Sequence, residues 1–189
     1  MPRKLFLFLL FPAVFSLFGC GYRLTSDPTL TSPVSGKNIA IPLFVNKSYR
    51  ANVGAILTGS MVDEFARRTG GKVTPEKSAD MVLTGTVLSY SSVPIAYSAT
   101  DTIKEYRALI TIEASLTEKN SQKVVWKGIL SWSEDYPAVT NIFAQPRGMA
   151  FQNNSTANNA LLQNSEDAAI REIGARLAQQ VYERVSSGF

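Results

Sequence analysis

The chain has 189 residues, a formal net charge of +4 at pH 7, no histidine and a single cysteine. This length favours a single domain. Without histidine and with one thiol, the chain cannot form Ser-His-Asp triads, Cys-His nucleophiles, zinc sites built on those side chains, or internal disulfides. Carboxylates, lysines, hydroxyls and backbone amides remain for any chemistry.

The chain begins with a pattern typical of a bacterial lipoprotein signal. A basic start and an apolar run from Leu5 to Leu17 precede Cys20. The run is shorter than the ~20 apolar residues that span a bilayer. We therefore predict that residues 1–19 are a cleaved signal peptide and that Cys20 is the lipid attachment site. Gly21 after the cysteine favours sorting to the outer membrane. The alternative is an ordinary secreted protein with a cysteine at the cleavage site by chance.

The next residues differ in composition from the rest of the chain. Residues 20–37 are rich in Ser, Thr, Pro and Gly, which predicts a flexible, lipid-anchored tether. A single domain is expected over residues 38–189. Its first predicted strand is Asn38–Asn46, where Pro42 favours an edge position or a bulge.

Two segments have the apolar spacing of amphipathic helices. The first is Asn52–Thr69, which ends at Gly70. The second begins at Asn164 or Ser165 and continues to about Val185. Its apolar stripe consists of Ile170, Ile173, Leu177, Val181 and Val185.

Three further segments have the composition or alternation of strands. Asp80–Tyr97 is rich in β-branched and aromatic residues and predicts one long strand or two short ones. Tyr106–Thr117 and Lys123–Trp132 alternate between apolar and polar residues and flank a polar turn, which predicts an antiparallel hairpin. Pro137–Gln163 has no sustained period and is predicted to be a loop.

The order of these elements is strand, helix, three strands, helix. A single sheet satisfies this order when it carries both helices on one face. The predicted fold class is therefore α/β (α+β): a two-layer sandwich of two helices on a mixed four-stranded sheet.

The charged residues do not form a catalytic or metal-binding pattern. Acidic residues occur as adjacent pairs, whereas glycosidases need two carboxylates facing each other across a cleft. We expect no enzymatic activity, no cofactor and no nucleic-acid partner. Lys104 and Arg107, near the start of a predicted strand, are candidates for binding an anionic ligand. The alternative is that both side chains are solvated charges at a sheet edge and bind no ligand. Tyr90, Tyr97 and Tyr106 are candidate partner contacts or ordinary strand aromatics.

Three segments resemble a known family. Gly19–Leu24 (GCGYRL) is similar to the mature start of the lipopolysaccharide-assembly outer-membrane lipoproteins (LptE-like). Ala79–Gly85 and Glu105–Ile112 look like the family's strands before and after its ligand-end loop. The resemblance implies a periplasm-facing lipoprotein of the outer membrane that is not an enzyme. It also implies two partners: a β-barrel translocon (LptD-like), which the protein plugs, and lipopolysaccharide.

The sequence leaves two other functions open. One is an envelope scaffold lipoprotein that activates a cell-wall synthase or another periplasmic machine. The other is a lipid-anchored hydrolase, which the lack of histidine and of facing carboxylates disfavours.

Overall fold

The computed structural model describes residues 32–138 and 155–187, with side chains in the last helix described from residue 160. The predicted signal peptide, Cys20 and most of the predicted tether lie outside the described residues. The order of elements matches the prediction. Along the chain they are β1 (Ile39–Ala40), β2 (Val45–Asn46), α1 (Val53–Thr69), a short 3-10 helix (Glu76–Ser78), β3 (Met81–Tyr97), β4 (Ile103–Glu118), β5 (Val124–Pro137) and α2 (Ser155–Ser187).

The sheet is mixed, with the order β1-β3-β4-β5. β1 and β2 both pair with β3 in parallel, whereas β3, β4 and β5 are antiparallel neighbours. The predicted first strand is divided in two, so the sheet has five strands rather than four. Between the two, the backbone N–H of Phe44 donates to Thr58 Oγ1 at 2.9 Å, so the chain bonds to α1 there instead of to β3.

The core lies between one face of the sheet and the two helices, which confirms the two-layer fold. The predicted core face of β4 is buried throughout, from Ala108 to Leu116. The predicted stripe of α2 is buried as well. Val34 is only 2% exposed, so packing begins inside the segment that we predicted as tether.

The sequence misplaced two boundaries. β5 continues to Pro137 instead of ending at Trp132, because Tyr136 pairs with Tyr106 and is buried. α2 begins at Ser155, so the predicted loop is wrong from that residue onward. Leu162 packs against the core and extends the apolar side of α2 into this polar segment. Residues 139–154 of the predicted loop lie outside the described part of the chain.

α1 ends at Gly70 as predicted, and the residues that flank both of its ends are in the left-handed conformation. Asn52 at its start has a φ of 64°, and Gly70 at its end has a φ of 68°. Asparagine and glycine tolerate this left-handed conformation better than other residues. Within residues 32–138 and 155–187, no helix combines the length and apolar character needed to cross a membrane.

Candidate functional site

The candidate site is the end of the sheet where β3 turns into β4, called here the hairpin end (residues 93–107). The turn is closed by its own hydrogen bonds: Ser98 N–H donates to the Thr102 carbonyl at 2.8 Å. The hydroxyl oxygen of Ser98 accepts from the N–H groups of Thr100 and Thr102 at 3.2 and 3.1 Å. Asp101 takes a left-handed φ of 56°. These contacts fix the turn without help from other elements.

Apolar side chains are exposed at the hairpin end. Val93, Ile95 and Tyr97 are 49%, 37% and 57% exposed. β2 pairs with β3 only as far as Val87, so in the described chain the last part of β3 has an unpaired edge. This end therefore combines exposed apolar side chains with unpaired backbone groups, which is a common property of docking surfaces.

The two predicted ligand-binding cations lie at this end in different environments. Lys104 is exposed, and among the described residues it forms no ion pair. Arg107 forms a two-pronged ion pair with Asp135 on β5, with Nε–Oδ1 and Nη2–Oδ2 distances of 2.6 and 2.8 Å. This contact raises the pKa of Arg107, and the Arg107 guanidinium lowers the pKa of Asp135.

The structure places Lys104 and Arg107 in different settings rather than as a matched pair. Lys104 lies at an irregularity of β4, because the pairing with β3 passes from Ala96–Glu105 to Tyr97–Ile103 and leaves Lys104 as an extra residue. The charge of Arg107 is also balanced by Asp135, which lies 28 residues away in sequence. Lys104 is the cation of the two that is available to an anion.

Behind the hairpin end lies a cluster of partly buried polar side chains around the buried Tyr90, which the sequence did not reveal. The Tyr90 hydroxyl donates to the Glu166 carboxylate of α2. Arg50 Nη2 contacts Glu166 Oε2 at 3.2 Å and Asp167 Oδ1 at 2.9 Å. Burial and the nearby carboxylate raise the pKa of Tyr90. The cluster therefore bonds α2 to β3 through a neutral phenol and to the segment before α1 through an ion pair.

Two further tyrosines, Tyr106 and Tyr136, extend this cluster toward β5. The Tyr136 and Ser92 hydroxyls are 2.6 Å apart, and the Tyr136 ring stacks on the Tyr106 ring with centroids at 5.5 Å. Burial raises the pKa of Tyr136. Tyr90 and Tyr106 therefore contribute to internal packing. Of the three tyrosines named as candidate contacts, Tyr97 is the one that is mostly exposed.

The sheet face opposite the helices is rich in hydroxyls. Every long strand contributes Ser or Thr to this face, and the Thr111 and Ser131 hydroxyls lie 2.9 Å apart. This face has a shallow depression of about 160 Å³ beside the Glu113–Lys127 ion pair. Since the ion pair satisfies both charges, the depression offers an anion or a cation little net attraction.

The sequence matches a known protein family over the described domain. A family model described as lipopolysaccharide-assembly (LptE) matches residues 36–185. The match covers most of the chain and nearly all of the described domain. The chain belongs to the LptE family of lipopolysaccharide-assembly lipoproteins, an assembly family rather than one defined by catalysis.

Several solved structures are similar to this chain over most of its length at low sequence identity. Rare lipoprotein B from Shewanella oneidensis is 16% identical, with 76% of this chain and 93% of that chain covered and a TM-score of 0.45. A protein from Xanthomonas campestris is 13% identical, with 86% and 90% covered and a TM-score of 0.48. A minor lipoprotein from Acinetobacter baumannii is 13% identical, with 79% and 92% covered and a TM-score of 0.41. No curated protein matches this sequence.

Proposed function

We propose that this protein is an outer-membrane lipoprotein that assembles with and plugs a β-barrel translocon and binds lipopolysaccharide for its insertion at the cell surface. The observation that carries the proposal is the family match over residues 36–185. In this account Cys20 is acylated after removal of residues 1–19. Two or more acyl chains on one residue are enough for stable anchoring. The domain then faces the periplasm and enters the barrel lumen.

The hairpin end is the proposed contact for lipopolysaccharide. The ligand has phosphate groups and acyl chains, and this end offers both kinds of partner. Lys104 is an exposed cation that can pair with a phosphate. Val93, Ile95 and Tyr97 are exposed apolar side chains that can contact acyl chains. Arg107 adds a second cation when a phosphate competes with Asp135.

The test is the affinity of the Lys104→Ala/Arg107→Ala double variant for purified lipopolysaccharide. A charge-assisted hydrogen bond contributes about 1.5 to 3 kcal/mol, so we expect the affinity to fall about tenfold or more. We expect the single variant Lys104→Ala to show most of this loss of affinity, because Asp135 already balances the charge of Arg107.

The matched control is Lys77→Ala/Lys123→Ala, which removes two cations from the opposite end of the long strands. Lys77 precedes β3 and Lys123 precedes β5, and both are exposed. We expect this variant to keep the affinity of the parent protein. Unchanged binding by the first variant, or an equal loss in the control, contradicts the proposed contact.

A further inference from the structure

Asp135 of β5 lies beside the proposed lipopolysaccharide contact and is the partner of Arg107 there. It is directly opposite Arg107 of β4, and Val93 of β3 is opposite Arg107 on the other side. Directly opposite residues of neighbouring strands point to the same face of a sheet. Alternate residues of one strand do so as well, so Leu109 shares this outer face.

Arg107 therefore has apolar neighbours and one acidic neighbour on the outer face. Val93 and Leu109 are 49% and 40% exposed, so apolar side chains adjoin Arg107 both across the sheet and along β4. A ligand that carries a phosphate next to acyl chains finds both kinds of partner here. The acidic neighbour, Asp135, is the one group of this patch that repels a phosphate.

The ion pair uses the same donors that a phosphate needs. Nε and Nη2 of Arg107 donate to Oδ1 and Oδ2 of Asp135 at 2.6 and 2.8 Å. A guanidinium binds a phosphate with two parallel hydrogen bonds of this kind, as it binds a carboxylate. A phosphate that takes these two donors has to displace the Asp135 carboxylate.

The ion pair is of the kind that an external anion can open. The Arg107 and Asp135 side chains are 51% and 43% exposed, and exposed ion pairs add little to stability because water solvates both charges. A phosphate monoester carries more negative charge than a carboxylate at pH 7 and accepts strong hydrogen bonds. The hydrogen bonds from Arg107 lower the pKa of Asp135, so this carboxylate is charged at neutral pH and competes with the phosphate.

We propose that Asp135 limits the affinity of the hairpin end for phosphate-bearing lipid, because its carboxylate competes with the ligand for Arg107. The inference rests on the proposed function, since it concerns the same ligand and the same end of the sheet. A site through which a ligand passes has to bind weakly enough to release it. When the phosphate departs, the Asp135 carboxylate pairs with Arg107 again, which stabilises the protein without ligand.

The test is a double-mutant cycle of Asp135→Asn and Arg107→Ala, measured as the affinity of the full chain for purified lipopolysaccharide. Asparagine keeps the size of the side chain and removes its charge. We expect Asp135→Asn to bind about two- to fivefold more tightly, the range for the loss of one exposed ion pair. In the Arg107→Ala chain the same substitution should leave the affinity unchanged, because no guanidinium is there to be released.

The matched control is Glu113→Gln, which changes the net charge of the chain by the same amount. Glu113 forms a second ion pair between β4 and β5, with Lys127. It is six residues along β4 from Arg107, roughly 20 Å away. This distance exceeds the Debye length of about 8 Å at physiological ionic strength. We therefore expect Glu113→Gln to bind lipopolysaccharide with the affinity of the parent chain.

Dephosphorylated lipopolysaccharide provides a readout that depends on the ligand instead of the protein. It keeps the acyl chains and offers Arg107 no phosphate. We expect Asp135→Asn and the parent chain to bind this form equally well. A gain of the same size for both forms of the ligand overturns the proposed competition.

The remaining outcomes separate this inference from the proposed function. If the parent chain does not bind lipopolysaccharide, both are overturned. If Lys104→Ala weakens binding but Asp135→Asn does not strengthen it, the proposed function stands and the competition is overturned. An equal gain with and without Arg107, or an equal gain in Glu113→Gln, indicates a general effect of charge and overturns it too. Weaker binding by Asp135→Asn means that Asp135 assists Arg107, which also overturns the competition.

Discussion

At the residue scale, the most informative side chain is the Tyr90 hydroxyl. It lies at the junction of β3 and α2 and donates to Glu166, which Arg50 also contacts. Tyr90 is 4% exposed, so its ring is part of the core while its hydroxyl belongs to the polar cluster. Glu166 is partly buried, so the loss of this donor is only partly compensated by water.

The Tyr90→Phe variant removes this hydroxyl and keeps the ring. We expect the free energy of unfolding to fall by about 0.5 to 1.5 kcal/mol, because the partly buried Glu166 loses one donor and keeps its contact with Arg50. Urea unfolding measures the change. Tyr97→Phe is the matched control, since Tyr97 is 57% exposed and its hydroxyl contacts no described residue, and its stability should equal that of the parent. Equal stability of both variants contradicts the role given to the cluster.

The raised pKa of Tyr90 also predicts how the stability of the protein depends on pH in the alkaline range. Burial, followed by the Glu166 contact, raises the pKa of Tyr90 above the ordinary value of 10.0. The unfolded chain then loses the phenolic proton first, so this contribution to stability is complete below pH 10 and decreases as the pH rises above it. Unfolding measured from about pH 9 to 11 should show a shallower loss in Tyr90→Phe than in the parent.

The sequence identified the charges of the hairpin end but not their partners. Lys104 and Arg107 are visible in the sequence as cations between two strands. Asp135 is the partner of Arg107 only because of the register in which β4 and β5 pair there. The turn after β4 and a one-residue shift between Leu116 and Thr117 set that register together. The Tyr90–Glu166 contact joins residues 76 positions apart and has no local signal.

At the scale of elements, the close contact between α1 and the segment before it depends on a glycine. A Cβ at Gly54 would lie 2.6 Å from the Phe44 carbonyl oxygen, which is backbone and cannot rotate away. Phe44 is buried, and its N–H is held by Thr58 of the same helix. The segment between β1 and β2 therefore packs on α1 at a distance that only glycine permits.

The Gly54→Ala variant tests this contact. We expect it to destabilise the protein by about 1 to 3 kcal/mol through overpacking, despite the better helix propensity of alanine. Gly59→Ala is the matched control in the same helix, because a Cβ there meets nothing within 4 Å. It should be neutral or stabilising by up to about 1 kcal/mol. Thermal unfolding distinguishes the two, and a stabilised Gly54→Ala contradicts the close packing.

Segments with a strong apolar periodicity were predicted well as helices or strands, whereas segments with a weak periodicity were not. The alternation of β4 and the apolar stripe of α2 identified the buried faces, because each face packs on a single layer. The first turns of α2 are rich in Asn and Ser, and a composition of that kind favours loops when no tertiary contact is known. Leu162 packs against the core and is such a contact. β1 and β2 are two residues each, too short for any pattern to separate.

At the scale of the whole molecule, the fold class followed from element order alone. A sheet with one apolar face and two amphipathic helices has few ways to bury its apolar surface. The partners do not follow from the fold, since the same architecture serves unrelated functions. What connects this chain with lipopolysaccharide assembly is the family match. The exposed end that combines a cation with apolar side chains is the contact that we propose for it.

The measurement that tests the central claim most directly is the identity of what copurifies with the C-terminally tagged protein after gentle extraction from its native outer membrane. Mass spectrometry should find the protein in the detergent-solubilised membrane fraction with a large β-barrel protein in stoichiometric amount. Recovery from the aqueous fraction contradicts the lipid anchor. A cell-wall synthase in place of the barrel, or no barrel at all, contradicts the translocon account and favours the scaffold function.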